Sequence, residues 1–221
     1  MNGKILKGAL FDLDGVVFDT EPQYSVFWGD RFKEYYPESN GMEKLIKGQT
    51  LIEIYERFFP NKPTQEEITR KLNAFEQDMR LEYVMGFEKF VTELKSQGVR
   101  TAVVTSSNKM KMNNVYAKRP EFKDYFDAVL TAEDFSESKP SPDCYLKAAK
   151  RFRLTTEECI VFEDSFNGLK SGRAADMFVV GLSTTNPAEK IKDMSDLVIA
   201  DYKSLDYNAL QREFKKSSKT I

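Results

Sequence analysis

The chain has 221 residues, and its 33 basic and 35 acidic side chains give a formal net charge of −2 at pH 7. This balance lacks the strong basic excess of nucleic-acid-binding proteins and argues against that class. The chain contains no histidine, which excludes Ser-His-Asp catalysis, Cys-His catalysis and every His-ligated zinc site. Acid-base chemistry must therefore come from carboxylates, lysine, tyrosine or water.

Apolar runs rich in β-branched residues predict six strands, at residues 6–12, 100–105, 128–131, 159–163, 178–181 and 197–199. Between them, the spacing of Phe87, Phe90 and Leu94 predicts a helix. Ser141 and Pro142 predict the start of another, as a cap and a first-turn proline. The alternation of strands and helices indicates an α/β fold with a parallel sheet and helices on both faces.

Residues 16–84 interrupt this alternation. Apolar stripes at helical spacing surround Trp28 and Ile54, and a capping-box pattern from Thr64 to Glu67 precedes a third stripe. About seventy mostly helical residues are too many for a strand-to-helix connection, which usually takes about 2–6 residues. We therefore predict an inserted helical domain at 16–84 and an α/β core made of 1–15 and 85–221.

Polar side chains gather where the predicted strands end. In a parallel sheet, ligands bind beyond the carboxyl ends of the strands. Four strand ends, or the loops after them, supply Asp12 with Asp14, Thr105 with Ser106, Lys139, and Glu163 with Asp164. Each alone has a simpler interpretation as a turn, a helix cap or a solvated loop residue. Their occurrence at four strand ends favours one common site.

The residue types indicate the chemistry of this site. Crowded carboxylates raise one another's pKa unless a cation is present, and a hard, oxygen-ligated ion such as Mg²⁺ suits carboxylates of this kind. The hydroxyl of Thr105 and the positive charge of Lys139 suit phosphate oxygens. Together these groups indicate phosphoryl transfer through an aspartyl nucleophile.

Four segments resemble the four motifs of the haloacid dehalogenase superfamily: FDLDGVVFDT, VVTSSN, SKPSPDCY and VFEDSFNGLKSGRAADM. The insertion resembles the helical cap of the first subclass, and the likeness is strongest to the branch of β-phosphoglucomutase and sugar-phosphate phosphatases. The resemblance implies a Rossmann-like α/β core with an inserted helical cap domain and a phosphoric monoester hydrolase. A dehalogenase would need no metal carboxylates, so Glu163 and Asp164 argue against that activity.

Residue by residue, the resemblance implies that Asp12 is the nucleophile, forming an aspartyl phosphate, and that Asp14 is the general acid-base. Thr105, Ser106 and Lys139 would hold the transferring phosphoryl group. The cofactor would be Mg²⁺, bound by Asp12, the carbonyl of Asp14 and Asp164, with Glu163 bound directly or one water away.

The cap departs from the mutases of this branch, which carry a histidine where Tyr24 falls and an arginine where Leu51 falls. Both residues here fit apolar stripes, and we interpret Tyr24 as part of the cap core. Glu21 at the hinge, with Lys47 and Gly48 in the cap loop, are the predicted substrate contacts. We expect hydrolysis of sugar phosphates, with a phosphosugar mutase as the alternative.

Two further hypotheses place the chain outside the enzymes. A phospho-accepting receiver module also gathers Asp, Thr or Ser, and Lys at the ends of a parallel sheet. It lacks a helical insertion and a second Asp two residues beyond the acceptor. A catalytically dead binding scaffold would require a broken motif, and none of the four is broken.

The cysteines and the basic runs bear on location and partners. Cys144 and Cys159 form no CxxC pair and indicate free thiols in a reducing compartment. No segment resembles a signal peptide, and no apolar run approaches the roughly 20 residues of a membrane span. We interpret the run of Lys109 and Lys111 as a solvated helix face. We expect a cytoplasmic monomer that binds a small phosphorylated metabolite and neither nucleic acid nor membrane.

Overall fold

Six parallel strands form one sheet within the residues that this computed structural model describes, 4–38, 40–46 and 49–217. They are β1 Gly8–Phe11, β2 Arg100–Val104, β3 Ala128–Leu130, β4 Cys159–Glu163, β5 Phe178–Leu182 and β6 Leu197–Ile199. Their order across the sheet is β3-β2-β1-β4-β5-β6. This arrangement confirms the predicted α/β fold with its parallel sheet.

The central position of β1 determines where polar side chains meet. β1 pairs with β2 on one side and β4 on the other, and Gly8 is in register with both Arg100 and Cys159. The chain builds the sheet outward from β1 to β3, then returns to build it from β4 to β6. In such an open sheet, ligands bind beyond the carboxyl ends of the strands at the point where the order reverses, here between β1 and β4.

Helices cover both faces of the sheet. They are α4 Phe87–Ser96, α5 Lys109–Lys118, α6 Asp143–Phe152, α7 Phe166–Ala174, α8 Ala188–Ile191 and α9 Tyr207–Lys216. Because side chains alternate along a strand, Leu10 packs with Tyr145 on one face and Phe11 packs with Phe87 on the other. Phe11 also stacks on Phe162 with ring centroids 4.4 Å apart. Among the described residues, none of the helices is both long enough and apolar enough to cross a membrane.

A helical cap lies between β1 and α4, as predicted. Its helices are α1 Glu21–Tyr35, α2 Leu51–Phe58 and α3 Lys62–Asp78. They enclose an apolar cluster of their own, which includes Phe27, Trp28, Phe32, Ile54, Phe58, Ile68 and Leu72. Val17 and Phe18, just before α1, pack instead in the apolar cluster of the core that contains Phe11 and Phe87. The bounds 16–84 for a separate domain stay a prediction.

The predicted capping box at Thr64 is wrong. The N-cap of α3 lies three residues earlier, at Asn61, whose side chain accepts a hydrogen bond from the backbone N–H of Thr64 at 3.3 Å. Pro63 lies in the first turn, where its missing N–H costs nothing, and this sets the start of the helix. A capping box does form at α2, between Thr50 and Glu53.

Candidate active site

Lys139 forms ion pairs with one carboxylate at the end of β1 and another at the end of β4. Its Nζ donates to Asp12 Oδ1 at 2.6 Å, to Glu163 Oε1 at 2.7 Å and to the Val104 carbonyl at 3.1 Å. Burial disfavours the charged form of this lysine, which is 6% exposed. The carboxylates of Asp12 and Glu163 outweigh that penalty and raise the pKa of Lys139 well above its usual value. Lys139 is thus a fixed cation at the predicted site.

Glu163 is fully buried and holds Lys139 in place. Its Oε1 accepts from Lys139 and from the Tyr145 hydroxyl at 2.9 Å. Its Oε2 accepts from the backbone N–H groups of Asp164 at 3.1 Å and Ser165 at 3.3 Å, and from the Ser165 hydroxyl at 3.1 Å. Both oxygens are therefore engaged by protein donors.

Gly168 in α7 leaves room for this carboxylate, because a Cβ there would overlap the Glu163 side chain. We expect Gly168→Ala to destabilise the protein by more than about 2 kcal/mol, since Glu163 cannot move without losing several buried hydrogen bonds. Denaturant unfolding would measure this.

Gly29→Ala provides the matched control for Gly168→Ala. Gly29 is also helical, and a Cβ added there would have no neighbouring atom within 4 Å. Alanine is the better helix former by about 1 kcal/mol, so this variant should be as stable as the wild type or more so. Equal unfolding midpoints for the two variants would contradict the packing argument.

Asp12, Glu163 and Asp164 form the acidic cluster of the site. One carboxylate oxygen from each lies within 4.8 Å of the others. Burial raises the pKa of Asp12 to about 7, with Lys139 opposing the shift, and burial raises the pKa of Asp164 well above its usual value. A bound cation would favour the ionised forms of both. An all-oxygen donor set of this kind suits Mg²⁺.

Asp164 is held beside the loop that follows β1. The Thr185 hydroxyl donates to its Oδ2, and the Asn186 side-chain amide donates to its backbone carbonyl at 3.0 Å. Gly15 has φ of +72°, and a Cβ at that position would overlap the Asp164 carboxylate. A glycine is required here for both reasons, and the close approach brings the backbone of the first motif toward Asp164.

Asp14 accepts hydrogen bonds from three side chains. The Thr20 hydroxyl donates to Oδ1 at 2.7 Å, the Ser107 hydroxyl donates to Oδ2 at 3.3 Å, and the Lys111 ammonium donates to Oδ2. Thr20 is the N-cap residue of α1 but makes no side-chain cap bond. Its hydroxyl is used on Asp14 instead.

The interpretation of Lys111 as a solvated residue is wrong. Lys111 is 3% exposed, whereas Lys109 is exposed as expected. Asn108 caps α5 by accepting from the Lys111 backbone N–H at 2.9 Å. α5 begins at the carboxyl end of β2, so a long side chain in its first turn can reach the site. The position of Lys111 three residues after the N-cap residue Asn108 was the signal in the sequence that could have placed it at the site.

The interpretation of Tyr24 as cap core is incomplete. Its ring packs edge-on against Phe75, with centroids 5.4 Å apart. Its hydroxyl accepts from Lys111 at 2.6 Å and donates to Glu76 Oε1 at 2.8 Å. Burial, followed by the charges of Asp14 and Glu76, raises the pKa of Tyr24 well above its usual value, so the hydroxyl keeps its proton. Leu51 packs against the apolar cluster of the cap, as predicted.

A cavity of about 290 Å³ separates the sheet edge from the cap. On the core side, the predicted residues Asp12, Asp14, Thr105, Ser106, Lys139 and Asp164 line it together. On the cap side, it is lined by residues that include Glu21, Glu43, Gln49, Thr69, Asn73 and Glu76. The predicted contacts Lys47 and Gly48 lie outside the described residues. The cavity is large enough for a small molecule, which could contact both the core residues and the cap residues that line it.

These motifs and this geometry are those of one family. The chain belongs to the haloacid dehalogenase-like hydrolase family, which matches residues 9–182. This confirms the predicted family and makes the protein a hydrolase by class.

Several curated relatives match most of the chain. The putative phosphatase YhcW of Bacillus subtilis is 30% identical over 185 residues, 78% of this chain and 81% of that protein. The fructose-1-phosphate phosphatase YqaB of Escherichia coli is 28% identical and covers 78% of this chain and 94% of its own length. The chain also matches SUPPRESSOR OF QUENCHING 1 of Arabidopsis thaliana at 28% identity over 90% of this chain, but spans only 20% of that protein.

Solved structures share the fold. A family IA, variant 3 hydrolase from Entamoeba histolytica has a TM-score of 0.84 at 21% identity, covering 95% of this chain and 100% of its own. A β-phosphoglucomutase from Clostridium difficile has a TM-score of 0.79 at 20% identity, covering 97% and 99%. The α/β core with its helical cap is therefore the shared architecture.

Proposed function

We propose that the protein is a Mg²⁺-dependent phosphatase that hydrolyses small phosphate esters, with sugar phosphates as the substrate class. The observation that carries this proposal is the position of Lys139 between Asp12 and Glu163, beside Asp164 and beneath the cap. The phosphatases among the curated relatives support it. Release of inorganic phosphate from a panel of phosphate esters is the test, and no release from any ester would refute it.

In the proposed reaction, a carboxylate oxygen of Asp12 attacks phosphorus and the ester oxygen departs with a proton from Asp14. The product is an aspartyl phosphate on Asp12. Asp14 then takes a proton from water, the resulting nucleophile attacks phosphorus, and the bond to Asp12 breaks to release phosphate. Asp14 ends the cycle protonated, as it began, because the proton it gave to the leaving group is replaced by one from water.

Other residues of the core would bind the phosphoryl group. Lys139 already contacts Asp12 and would neutralise phosphate oxygens at the same point. The Thr105 hydroxyl accepts from the Ser107 backbone N–H at 3.0 Å, which leaves its own proton available to a phosphate oxygen. Ser106 lines the same side of the cavity.

The proposed Mg²⁺ ligands are the side chains of Asp12 and Asp164 and the carbonyl of Asp14. Glu163 would act through water, because both of its oxygens already accept hydrogen bonds. When bound, the ion supplies positive charge to the phosphoryl oxygens and to the crowded carboxylates.

The cap wall suits a neutral, hydroxyl-bearing leaving group. Its polar lining includes Glu21, Asn73 and Gln49. Gln49 Oε1 is buried and has no hydrogen-bond partner among the described residues, so it can accept from a substrate hydroxyl. Lys47 and Gly48 stay predicted contacts of the substrate.

A mutase would need a binding site for the second phosphate group of a bisphosphate. A mutase holds a bisphosphate in two orientations, and a guanidinium suits that task. On the cap side of the cavity, the described lining residues carry carboxylates at Glu21, Glu43 and Glu76 and no cation. This wall would repel a distal phosphate, which favours hydrolysis. The receiver hypothesis is disfavoured by the family and the cap.

We expect β-glucose 1-phosphate, supplied with a trace of glucose 1,6-bisphosphate, to yield free phosphate without glucose 6-phosphate. The acidic wall should disfavour the bisphosphate that isomerisation needs. A coupled assay for glucose 6-phosphate and a phosphate assay would follow both products. Efficient isomerisation with little phosphate release would establish the mutase, with Lys47 as the candidate for the distal phosphate.

The proposed setting is the cytoplasm, where the protein would act as a monomer. Cys144 and Cys159 are both buried free thiols, which agrees with a reducing compartment. Size-exclusion chromatography with light scattering would test the monomer.

A further inference from the structure

A series of hydrogen-bonded side chains connects the core to the cap through Lys111. Its Nζ donates to Asp14 Oδ2 and to the Tyr24 hydroxyl, and lies 4.8 Å from the centre of the Tyr24 ring. The Tyr24 hydroxyl donates in turn to Glu76. Lys111 belongs to α5 of the core, whereas Tyr24 and Glu76 belong to α1 and α3 of the cap. The complete series of hydrogen bonds therefore exists only while the cap lies over the site.

Burying an ammonium is costly unless its charge is paired and its hydrogen bonds are made. A lysine that served only to fasten the cap could meet this need with Glu76 alone. Lys111 instead reaches the carboxylate oxygen of Asp14 opposite the one that Thr20 contacts. Of the three side chains that hold Asp14, Lys111 is the charged one, and it reaches from the core helix α5 to the hydroxyl of Tyr24 in the cap helix α1.

We infer that Lys111 is a positioning residue that fixes the orientation of the Asp14 carboxylate when the cap is closed, an inference that rests on the proposed function. Oδ2 stays bound to Lys111, which leaves Oδ1 as the oxygen that carries the proton. The Thr20 hydroxyl beside Oδ1 can donate or accept, so it tolerates both states. Lys111 thereby directs the transferable proton toward the leaving group.

Lys111→Met removes the charge at nearly constant shape and should disturb only the steps that use Asp14. The probes are 4-nitrophenyl, phenyl and benzyl phosphate, whose leaving groups depend increasingly on a proton donor in that order. Their kcat/KM values report only the steps up to leaving-group release. We expect kcat/KM to fall by about 100-fold for benzyl phosphate, the typical effect of a misplaced catalytic group, with smaller losses for phenyl and 4-nitrophenyl phosphate.

A purely structural role for Lys111 would lower kcat/KM for the three esters by one common factor, and this result would overturn the inference. Unchanged kcat/KM in Lys111→Met would overturn it as well. Lys111→Arg, which keeps the cation, should recover part of the loss on benzyl phosphate. Lys109→Met is the matched control, because Lys109 is an exposed lysine in the same helical turn, and it should behave as the wild type.

Tyr24→Phe provides a second test that does not remove the buried charge. It deletes the hydroxyl between Lys111 and Glu76 but keeps the ring packed against Phe75. We expect the same graded loss across the three esters, smaller than in Lys111→Met, and an equal loss on all three would contradict the inference. A wild-type enzyme that releases phosphate from none of the esters would remove the proposed function itself, whereas an active enzyme without the gradient removes only the role of Lys111.

Discussion

Asp12→Asn should abolish turnover, with a loss of at least about 10⁴-fold, the scale of removing a catalytic nucleophile. An amide oxygen is a far weaker nucleophile than a carboxylate, and Lys139 would lose one of its two carboxylate partners. With ³²P-labelled substrate and an acid quench, the wild type should show a hydroxylamine-sensitive label that Asp12→Asn lacks.

Asp14→Asn should have the opposite effect on the label. Water needs a base before it can attack the aspartyl phosphate, and a positioned base contributes about 10²–10⁴-fold. With 4-nitrophenyl phosphate, whose leaving group needs little protonation, the first step should proceed and the label should accumulate.

Asp19→Asn is the control for both variants. Asp19 lies in the same motif but is exposed, so its amide variant should label and turn over like the wild type. A label that persists in Asp12→Asn would assign the nucleophile to another residue. A label that does not accumulate in Asp14→Asn would mean that Asp14 is not the base of the second step.

Asp164→Ala should remove both activity and the response to Mg²⁺. We expect turnover to fall by at least about 100-fold. Loss of a residue that only hydrogen-bonds to a metal ligand can already cost that much, and Asp164 is proposed to bind the ion directly. EDTA should reduce wild-type activity to a similar level, and full activity in EDTA would refute the metal requirement.

Unfolding experiments separate metal binding from turnover. A ligand present at 100 times its dissociation constant stabilises the folded state by about 2.7 kcal/mol. The wild type and the exposed-residue control Asp30→Ala should gain this from Mg²⁺, and Asp164→Ala should not. Without metal, Asp164→Ala should be no less stable than the wild type, because burial disfavours this carboxylate's charge. An equal gain from Mg²⁺ in all three proteins would place the ion elsewhere.

Local patterns were enough to predict the sheet and the residues at its edge. The strands are short, buried runs such as Gly8–Phe11, whose composition marks them without reference to the rest of the chain. Asp12, Thr105 and Glu163 lie where such runs end, and a parallel sheet brings those ends together. Lys139 could be predicted only because its loop follows a strand of the same sheet.

The contacts between core and cap could not be predicted in the same way. Lys111 meets Asp14 and Tyr24 across long separations in sequence, and no periodicity links these positions. Tyr24 fits an apolar stripe and also presents a hydroxyl to the cavity, since tyrosine has an apolar ring and a polar tip. The pattern detected the ring and not the hydroxyl. The full engagement of Glu163 likewise depends on Tyr145 and on backbone N–H groups that only the fold supplies.

The insertion of the cap between β1 and the rest of the core has a consequence for how the chain folds. Gly8 in β1 pairs with Arg100 in β2, so the first strand pair of the chain must close a loop of about ninety residues. Such non-local pairing slows folding, because the entropy of closure is lost before the contacts form. The cap helices have an apolar cluster of their own, and their early collapse would shorten the effective loop. Cap mutations that weaken this cluster should therefore slow refolding of the sheet, although none of the cluster residues belongs to a strand.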